Sequence, residues 1–250
     1  MTTRMKGRLA VVGIGPGAVD QLTAAAAAEL GAADLLVGYS AYLDQLSTDV
    51  APGRREASPI GDERERALRA VTAAAEGARV ALVSSGDAGI YGMASLAIDR
   101  AAALGEGAPE LVVVPGVTAA TAAGALLGAP LAVDFACLSL SDLLLPREEL
   151  LTKLEALAAT DIVLVLYNPA SRTRREPWGA AVEALQRHRP AGTPAAAVRR
   201  AYRDGQAVEL TDVGGLGGLQ IDMETVVIVG SSRTRRHGPW LYTLRGEARI

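Results

Sequence analysis

The sequence predicts an α/β protein in two lobes, a parallel-sheet lobe over residues 1–127 and a mixed-sheet lobe over residues 128–250. Three observations carry this. Short β-rich runs alternate with helical stretches through the first half, and each run ends in glycine, serine or proline. That is the pattern of βαβ units, in which a helix returns the chain so that successive strands lie parallel. In "LLGAPLAVDFACLSLSD", Gly128 and Pro130 stop a helix and a new strand begins, which sets the lobe boundary. Beyond it two strands are separated only by "AYRDGQ", whose Asp204-Gly205 pair is a hairpin signal, so antiparallel pairing enters there.

Taken in order, residues 9–14, 35–37, 80–84 and 111–114 are runs of Val, Ile and Leu too short for helices, and they read as strands. Residues 22–33, 62–76, 91–104 and 117–127 read as the helices that follow them. Within the second of these, "DERERALRA" reads as a solvated face laced by i,i+4 pairs such as Glu65–Arg69. The second half continues with a strand in the Leu126-to-Asp142 stretch, a helix at 147–159, a strand at 162–167 and a helix at 177–187. Strands near 195–199, 206–211 and 225–229 complete it. "GGLGGLQ" reads as a flexible connection, and the last ten or so residues take no assignment.

Composition narrows the function. Half of the 250 residues are hydrophobic and 21% are charged, as in a soluble globular protein with a sizeable core. A net charge of −3 gives no reason to expect nucleic-acid affinity. No apolar run approaches the ~20 residues of a membrane span, and "MTTRMKGRLA" lacks the apolar core of a signal peptide. One cysteine excludes an intrachain disulfide and fits a reducing cytoplasm. Cys137, in an apolar strand, is expected in the core, and His188 and His237 in solvent; no metal-ligand spacing appears, so no metal is expected.

The first chemical candidate is "VVGIGPGAVD", whose Gly13, Gly15 and Ala18 have the spacing of a dinucleotide-binding turn. Two features oppose that reading. Pro16 has no N–H to offer a phosphate. Asp34, at roughly the distance of a ribose-binding acid, precedes the apolar run "LLVG" instead of ending it. A tight strand-to-helix turn without a ligand remains an equal reading. Similar turns follow other strands: "VSSGDAGIYGMA", "VVVPGVTAATAAG" and "LYNPASRTRR". Their glycines let main chain approach a ligand closely. Four such turns at the C-terminal ends of strands point to a cleft.

Together "VVGIGPG", "SSGDAGIYGMA", "VVPGVTAA" and "TPAAAVRRAYRDGQ" resemble the tetrapyrrole (corrin/porphyrin) methyltransferases. "VGYSAYLDQL", "DFACLSLSDLL", "LYNPASRTRR" and "IDMETVVIVGSSRTR" resemble, more narrowly, the branch that methylates C17 of precorrin-3B, or cobalt-precorrin-3, with ring contraction in cobalamin synthesis. The likeness spans about Arg8 to Arg245. It departs from the family pattern at Ala88 and Ser231, where proline and asparagine are common, and at Leu145 and Arg147, where threonine and tryptophan are expected.

The resemblance implies the two-lobed tetrapyrrole methylase architecture, a cofactor cleft between the lobes, S-adenosylmethionine as methyl donor, and a homodimer. Carried over by position, it implies cofactor contacts at Ser85, Gly86, Asp87, Ile90, Thr118, Ala119, Tyr167, Asn168, Ala201 and Thr225, with Asp87 paired to the cofactor's ammonium. The turn with Gly15, Pro16 and Gly17 would then line the macrocycle pocket, Pro16 stiffening its wall. Precorrins carry many carboxylates, and guanidinium forks match carboxylates. Arg172 and Arg175, from the Arg172/Arg174/Arg175 cluster, are the substrate candidates; two further clusters are Arg199/Arg200/Arg203 and Arg233/Arg235/Arg236. For a base or acid in ring contraction the candidates are Ser139, Ser141, Asp142 and Tyr39, against plain turn capping for the first three. The other readings are a sister precorrin or uroporphyrinogen methyltransferase, a nicotinamide oxidoreductase, and a non-catalytic tetrapyrrole carrier.

Overall fold

A parallel five-stranded sheet organises the first part of the chain. The computed structural model describes residues 7–141, 146–171 and 174–246, and the chain divides into two units, residues 1–119 and 120–250. This division falls at the N-terminal end of a helix whose other end is residue 127. The first unit contains β1 (Arg8–Gly13), α1 (Ala24–Ala32), β2 (Leu35–Tyr39), α2 (Ser40–Leu43), β3 (Arg54–Ser58), α3 (Glu63–Ala75), β4 (Arg79–Ser84), α4 (Ala94–Ala102) and β5 (Glu110–Val114). Its strand order is β3-β2-β4-β1-β5, with every pair parallel.

The central strands β1, β2 and β4 bury both faces, which is why they read as unbroken apolar runs. Leu9, Val11, Leu35, Val37, Val80 and Leu82 pack against Ala67, Ala70 and Ala74 of α3 and Ala94, Ala97 and Ala101 of α4. Their neighbours one residue on, Ala10, Val12, Leu36, Ala81 and Val83, point the other way, onto Ala26 and Leu30 of α1 and Leu43 of α2. The alanine-rich helices let the layers approach closely.

Four features of this unit differ from the sequence reading or sharpen it. β3, "RREAS", has no apolar signal; it is an edge strand whose pairing with β2, Leu35 opposite Arg54 through Tyr39 opposite Ser58, supplies what propensity does not. Its Arg55 donates to the carbonyls of Leu43 (2.8 Å) and Leu46 (2.7 Å), which ends the short α2. The third helix is solvated only in part. Glu65 and Arg69 do pair at 3.3 Å in solvent, but Arg66 is buried, donating to Ser58 Oγ (2.8 Å) and Pro59 O (2.6 Å). The helix expected from residue 91 starts at Ala94, because Tyr91 sits in the left-handed region at φ 53°.

The second unit holds α5 (Ala119–Leu127, its first residue closing the first unit), β6 (Gly128–Ala129), β7 (Phe135–Ser139), α6 (Arg147–Ala158), β8 (Val163–Tyr167) and α7 (Glu176–His188). It continues with β9 (Pro194–Arg199), β10 (Ala207–Asp212), β11 (Thr225–Val229), β12 (Thr234–His237) and β13 (Trp240–Thr243). The main sheet runs β10-β9-β11-β8-β7; β7 and β8 are parallel and the other pairs antiparallel, a mixed sheet as expected. Leu164, Leu166, Ala197, Val227 and Val229 pack on Leu150 and Leu154 of α6 and Trp178 and Leu185 of α7.

"GGLGGLQ" is a pinned turn and not a flexible connection. Leu216 and Leu219 are buried, and Gly215 N–H donates to Asp212 Oδ1 at 2.9 Å. Beyond β11 the chain forms the hairpin β12–β13, whose second strand reaches into the stretch left without assignment, and β13 pairs with β6 in a small second sheet. Thr243 Oγ1 meets Thr234 Oγ1 at 2.9 Å and donates to Pro130 O at 2.7 Å, a tie between residues too distant in sequence to foresee.

Candidate functional site

In the first unit, the turns after β1, β4 and β5 meet at the C-terminal edge of the sheet. Gly15 and Gly86 form a two-way bridge, Gly15 N–H to Gly86 O at 3.0 Å and Gly86 N–H to Gly15 O at 2.8 Å. Both glycines are left-handed, at φ 72° and 63°. Gly116 sits so close that a Cβ there would lie 2.1 Å from Gly86 O. Asp87 completes the lock: Oδ1 accepts the N–H of Gly89 at 2.8 Å and Oδ2 that of Gly116 at 3.0 Å. Behind it Ser84 Oγ accepts Met93 N–H at 3.1 Å.

This geometry accounts for the first glycine turn. Ile14 N–H goes to Ser84 O (2.9 Å), Gly15 N–H goes to Gly86 O, and Pro16 has none. Those three positions keep no donor for a pyrophosphate. Asp34 is also spent elsewhere: at the N-terminal ends of β2 and β4 its carboxylate accepts Arg79 N–H at 3.0 Å. Both observations remove the dinucleotide reading. Pro16 is buried, so the accessible surface of its turn comes from Gly17 and Ala18, not from the proline ring.

The remaining candidates of this unit surround the lock. Ser85 is half-buried, and Ile90 and Tyr91 are 39% and 53% exposed. Thr118 and Ala119, half-buried, follow Gly116 directly into α5. Tyr39 ends β2 with its ring edge-on to Tyr42, centroids 5.0 Å apart.

In the second unit, the ends of β7 and β8 carry Ser139, Ser141, Tyr167 and Asn168. Tyr167 Oη accepts Ala120 N–H at 2.8 Å. Asn168, at φ 51°, donates through Nδ2 to Ser139 Oγ at 3.0 Å, and Ser141 N–H donates to the same oxygen at 3.3 Å. Arg174 fixes the cluster from below, donating to Leu140 O and, at 3.0 Å, to Asn168 O. Arg174 therefore holds main chain, a role the sequence did not signal. Arg175 is exposed; Asp142 and Arg172 lie outside the described residues.

Ala201 lies in the β9–β10 turn between two left-handed residues, Arg200 (φ 50°) and Tyr202 (φ 59°). Thr225 is buried, and its hydroxyl is committed to Asp222 Oδ1 at 2.8 Å, so its side chain is structural. The Arg199/Arg200/Arg203 cluster is already matched by acids: Arg199 to Asp222 at 2.6 Å, Arg200 to Glu224 at 2.6 Å and Arg203 to Glu224 at 3.4 Å. Burial alone would push the Asp222 carboxyl up, but hydrogen bonds from Arg199, Thr225 and the Glu224 N–H outweigh it and hold the group below its usual range. That cluster is an internal brace, not a free carboxylate receptor.

Of two smaller expectations one is corrected. His188 is exposed as expected, and it pairs with Glu155 at 2.5 Å, which Arg187 also holds, joining α6 to α7. Cys137 is half-buried on the edge strand β7, and burial pushes its thiol pKa up. Among the described residues no group of three or more His, Cys, Asp or Glu is placed to hold a metal, and no helix is long and apolar enough to cross a membrane.

Comparison with known proteins places this geometry in context. A family model described as Tetrapyrrole (Corrin/Porphyrin) Methylases matches residues 8–217. A cobalt-factor III methyltransferase of Priestia megaterium is 36% identical over 98% of this chain, which spans only 46% of that protein; the chain spans about half the length of several curated relatives it matches. A precorrin-3B C(17)-methyltransferase of a Sinorhizobium species is 41% identical, over 92% of this chain and 91% of that one. The crystal structure of the methyltransferase CobJ superposes with a TM-score of 0.88 at 37% identity, covering 95% of this chain and all of the other.

Proposed function

The chain belongs to the tetrapyrrole (corrin/porphyrin) methylases, and on that premise we propose that it methylates C17 of precorrin-3B, or of its cobalt form, with ring contraction in cobalamin synthesis. The observation that carries the substrate assignment is the likeness to the Sinorhizobium enzyme, which runs over more than nine-tenths of both chains. The methyl donor in this proposal is S-adenosylmethionine, which supplies an electrophilic methyl on sulfonium.

The residues present fit such a ligand. Gly86 and Gly89 keep the loop clear of side chains at their positions, and Ile90 and Tyr91 stand exposed beside them as apolar contacts for an adenosine. In the second unit Asn168 is itself left-handed, and Ala201 lies between two left-handed residues, Arg200 and Tyr202. Transfer of an already activated methyl needs mainly alignment, and proximity of two aligned reactants contributes ~7–11 kcal/mol. For proton movement in ring contraction the proposal keeps Ser139. Its Oγ accepts from Asn168 and Ser141, which leaves its own proton to donate. Gly17 and Arg175 are proposed on the substrate side. A homodimer in the cytoplasm completes the proposal.

Calorimetry with S-adenosylhomocysteine beside NAD tests the donor; absence of heat with the former sinks the reading. Mass spectrometry and NMR of the product from precorrin-3B test the carbon. Methylation elsewhere than C17 assigns the chain to a sister activity of the same family. Light scattering at the mass of one chain removes the dimer.

A further inference from the structure

We propose that Asp87 positions the ligand-binding turns through main chain and is not the counter-ion of a bound amino-acid ammonium. This rests on the function proposed above, because the ligand is the adenosyl thioether of that reading.

Both oxygens of the carboxylate are already aimed. Oδ1 closes a turn on its own loop at Gly89 N–H, 2.8 Å. Oδ2 reaches across to Gly116 N–H, 3.0 Å, 29 residues along the chain. The donors are backbone N–H groups, so their direction is set by the peptide planes and the carboxylate is oriented with them. The rest of the lock depends on where Gly116 stands. Its Cα faces Gly86 O and the carbonyl of Gly13 so tightly that an added Cβ would lie 2.1 and 2.7 Å from those two oxygens. Gly86 is in turn bridged to Gly15. One carboxylate therefore ties the β4 turn to the β5 turn, the Gly15–Gly86 bridge joins the β1 turn to them, and exposed Ile90 and Tyr91 stand beside them. Without the carboxylate two N–H donors lose their acceptor, and the turns after β4 and β5 lose a side-chain tie to each other.

The test is the Asp87→Asn variant, titrated by calorimetry with S-adenosylhomocysteine and with 5′-methylthioadenosine. The second ligand has the same adenosine thioether but no ammonium and no carboxylate. Positioning predicts that both dissociation constants rise by the same factor, about tenfold or more for a charge-assisted bond. A loss confined to S-adenosylhomocysteine, or no loss with either ligand, overturns the proposal. Asp87→Glu serves if the first variant does not fold. It keeps the charge but its longer arm misplaces the oxygens, so positioning predicts loss of both ligands, and retained S-adenosylhomocysteine binding contradicts it. Wild-type protein that binds S-adenosylhomocysteine but not methylthioadenosine also overturns it, since recognition would then centre on the amino-acid arm. Wild-type protein that binds neither removes the function proposed above, a separate outcome.

Discussion

The phenol of Tyr167, at the end of β8, accepts the backbone N–H of Ala120 at 2.8 Å and so caps the first turn of α5. The two residues are 47 positions apart, and the bond is buried. It makes a side chain assigned by resemblance to ligand binding into a structural tie as well. Tyr167→Phe leaves that N–H without an acceptor, and a buried donor so stranded costs about 1–3 kcal/mol. Urea melts of the variant are expected to show a lower midpoint with an unchanged slope.

Gly116→Ala tests the close approach of the turns. The new methyl would meet Gly86 O at 2.1 Å, with backbone on both sides and no flexible side chain to yield. Overpacking of this kind costs about 1–3 kcal/mol. Because the strain falls on the Gly15–Gly86 bridge, S-adenosylhomocysteine affinity is expected to drop along with stability, by calorimetry and thermal melting of one preparation.

Ser139→Ala separates chemistry from binding. The hydroxyl receives Asn168 and Ser141 but lies on β7, not in the glycine lock of the first unit. The variant is expected to keep wild-type affinity for S-adenosylhomocysteine and to lose about 10²-fold in turnover, the scale of a proton-transfer contribution. Unchanged turnover in a stopped-time product assay would reduce Ser139 to a turn cap.

Acid stability is expected to depend on Asp161. The Ser232 hydroxyl at 2.5 Å and its N–H at 2.7 Å hold this carboxyl below its usual range. A lowered folded-state pKa contributes stability that is complete above the unfolded value of about 3.9 and is lost as pH falls through the folded one. Asp161→Asn should therefore flatten the rise in melting temperature with pH below about pH 4, with little change in slope near neutrality.

Much of the architecture was legible in the chain because the central strands of the first sheet, β1, β2 and β4, are buried on both faces. Runs such as "LAVVGI" and "VALVSS" have no polar alternation to hide them, and β1, β2, β4 and β5 fall where those runs are. β3 escaped notice because an edge strand borrows its hydrogen bonds from a neighbour and can be polar. The hairpin β12–β13 escaped because its partner β6 lies more than a hundred residues upstream.

By itself the sequence determined the alternating α/β order, the two-part organisation and the family, since period, punctuation and motif are local properties of a chain. It also showed glycines wherever backbones must crowd. What those glycines crowd against was decided only by the tertiary structure. That Gly15 meets Gly86, that Asp87 spends its carboxylate on Gly89 and Gly116, and that Arg199, Arg200 and Arg203 are braced by Asp222 and Glu224 are all outcomes of chain return. The physical reason is that a polar group's partner is chosen by distance in space. A residue type announces what a side chain can bond to, and only the fold says which neighbour is there first.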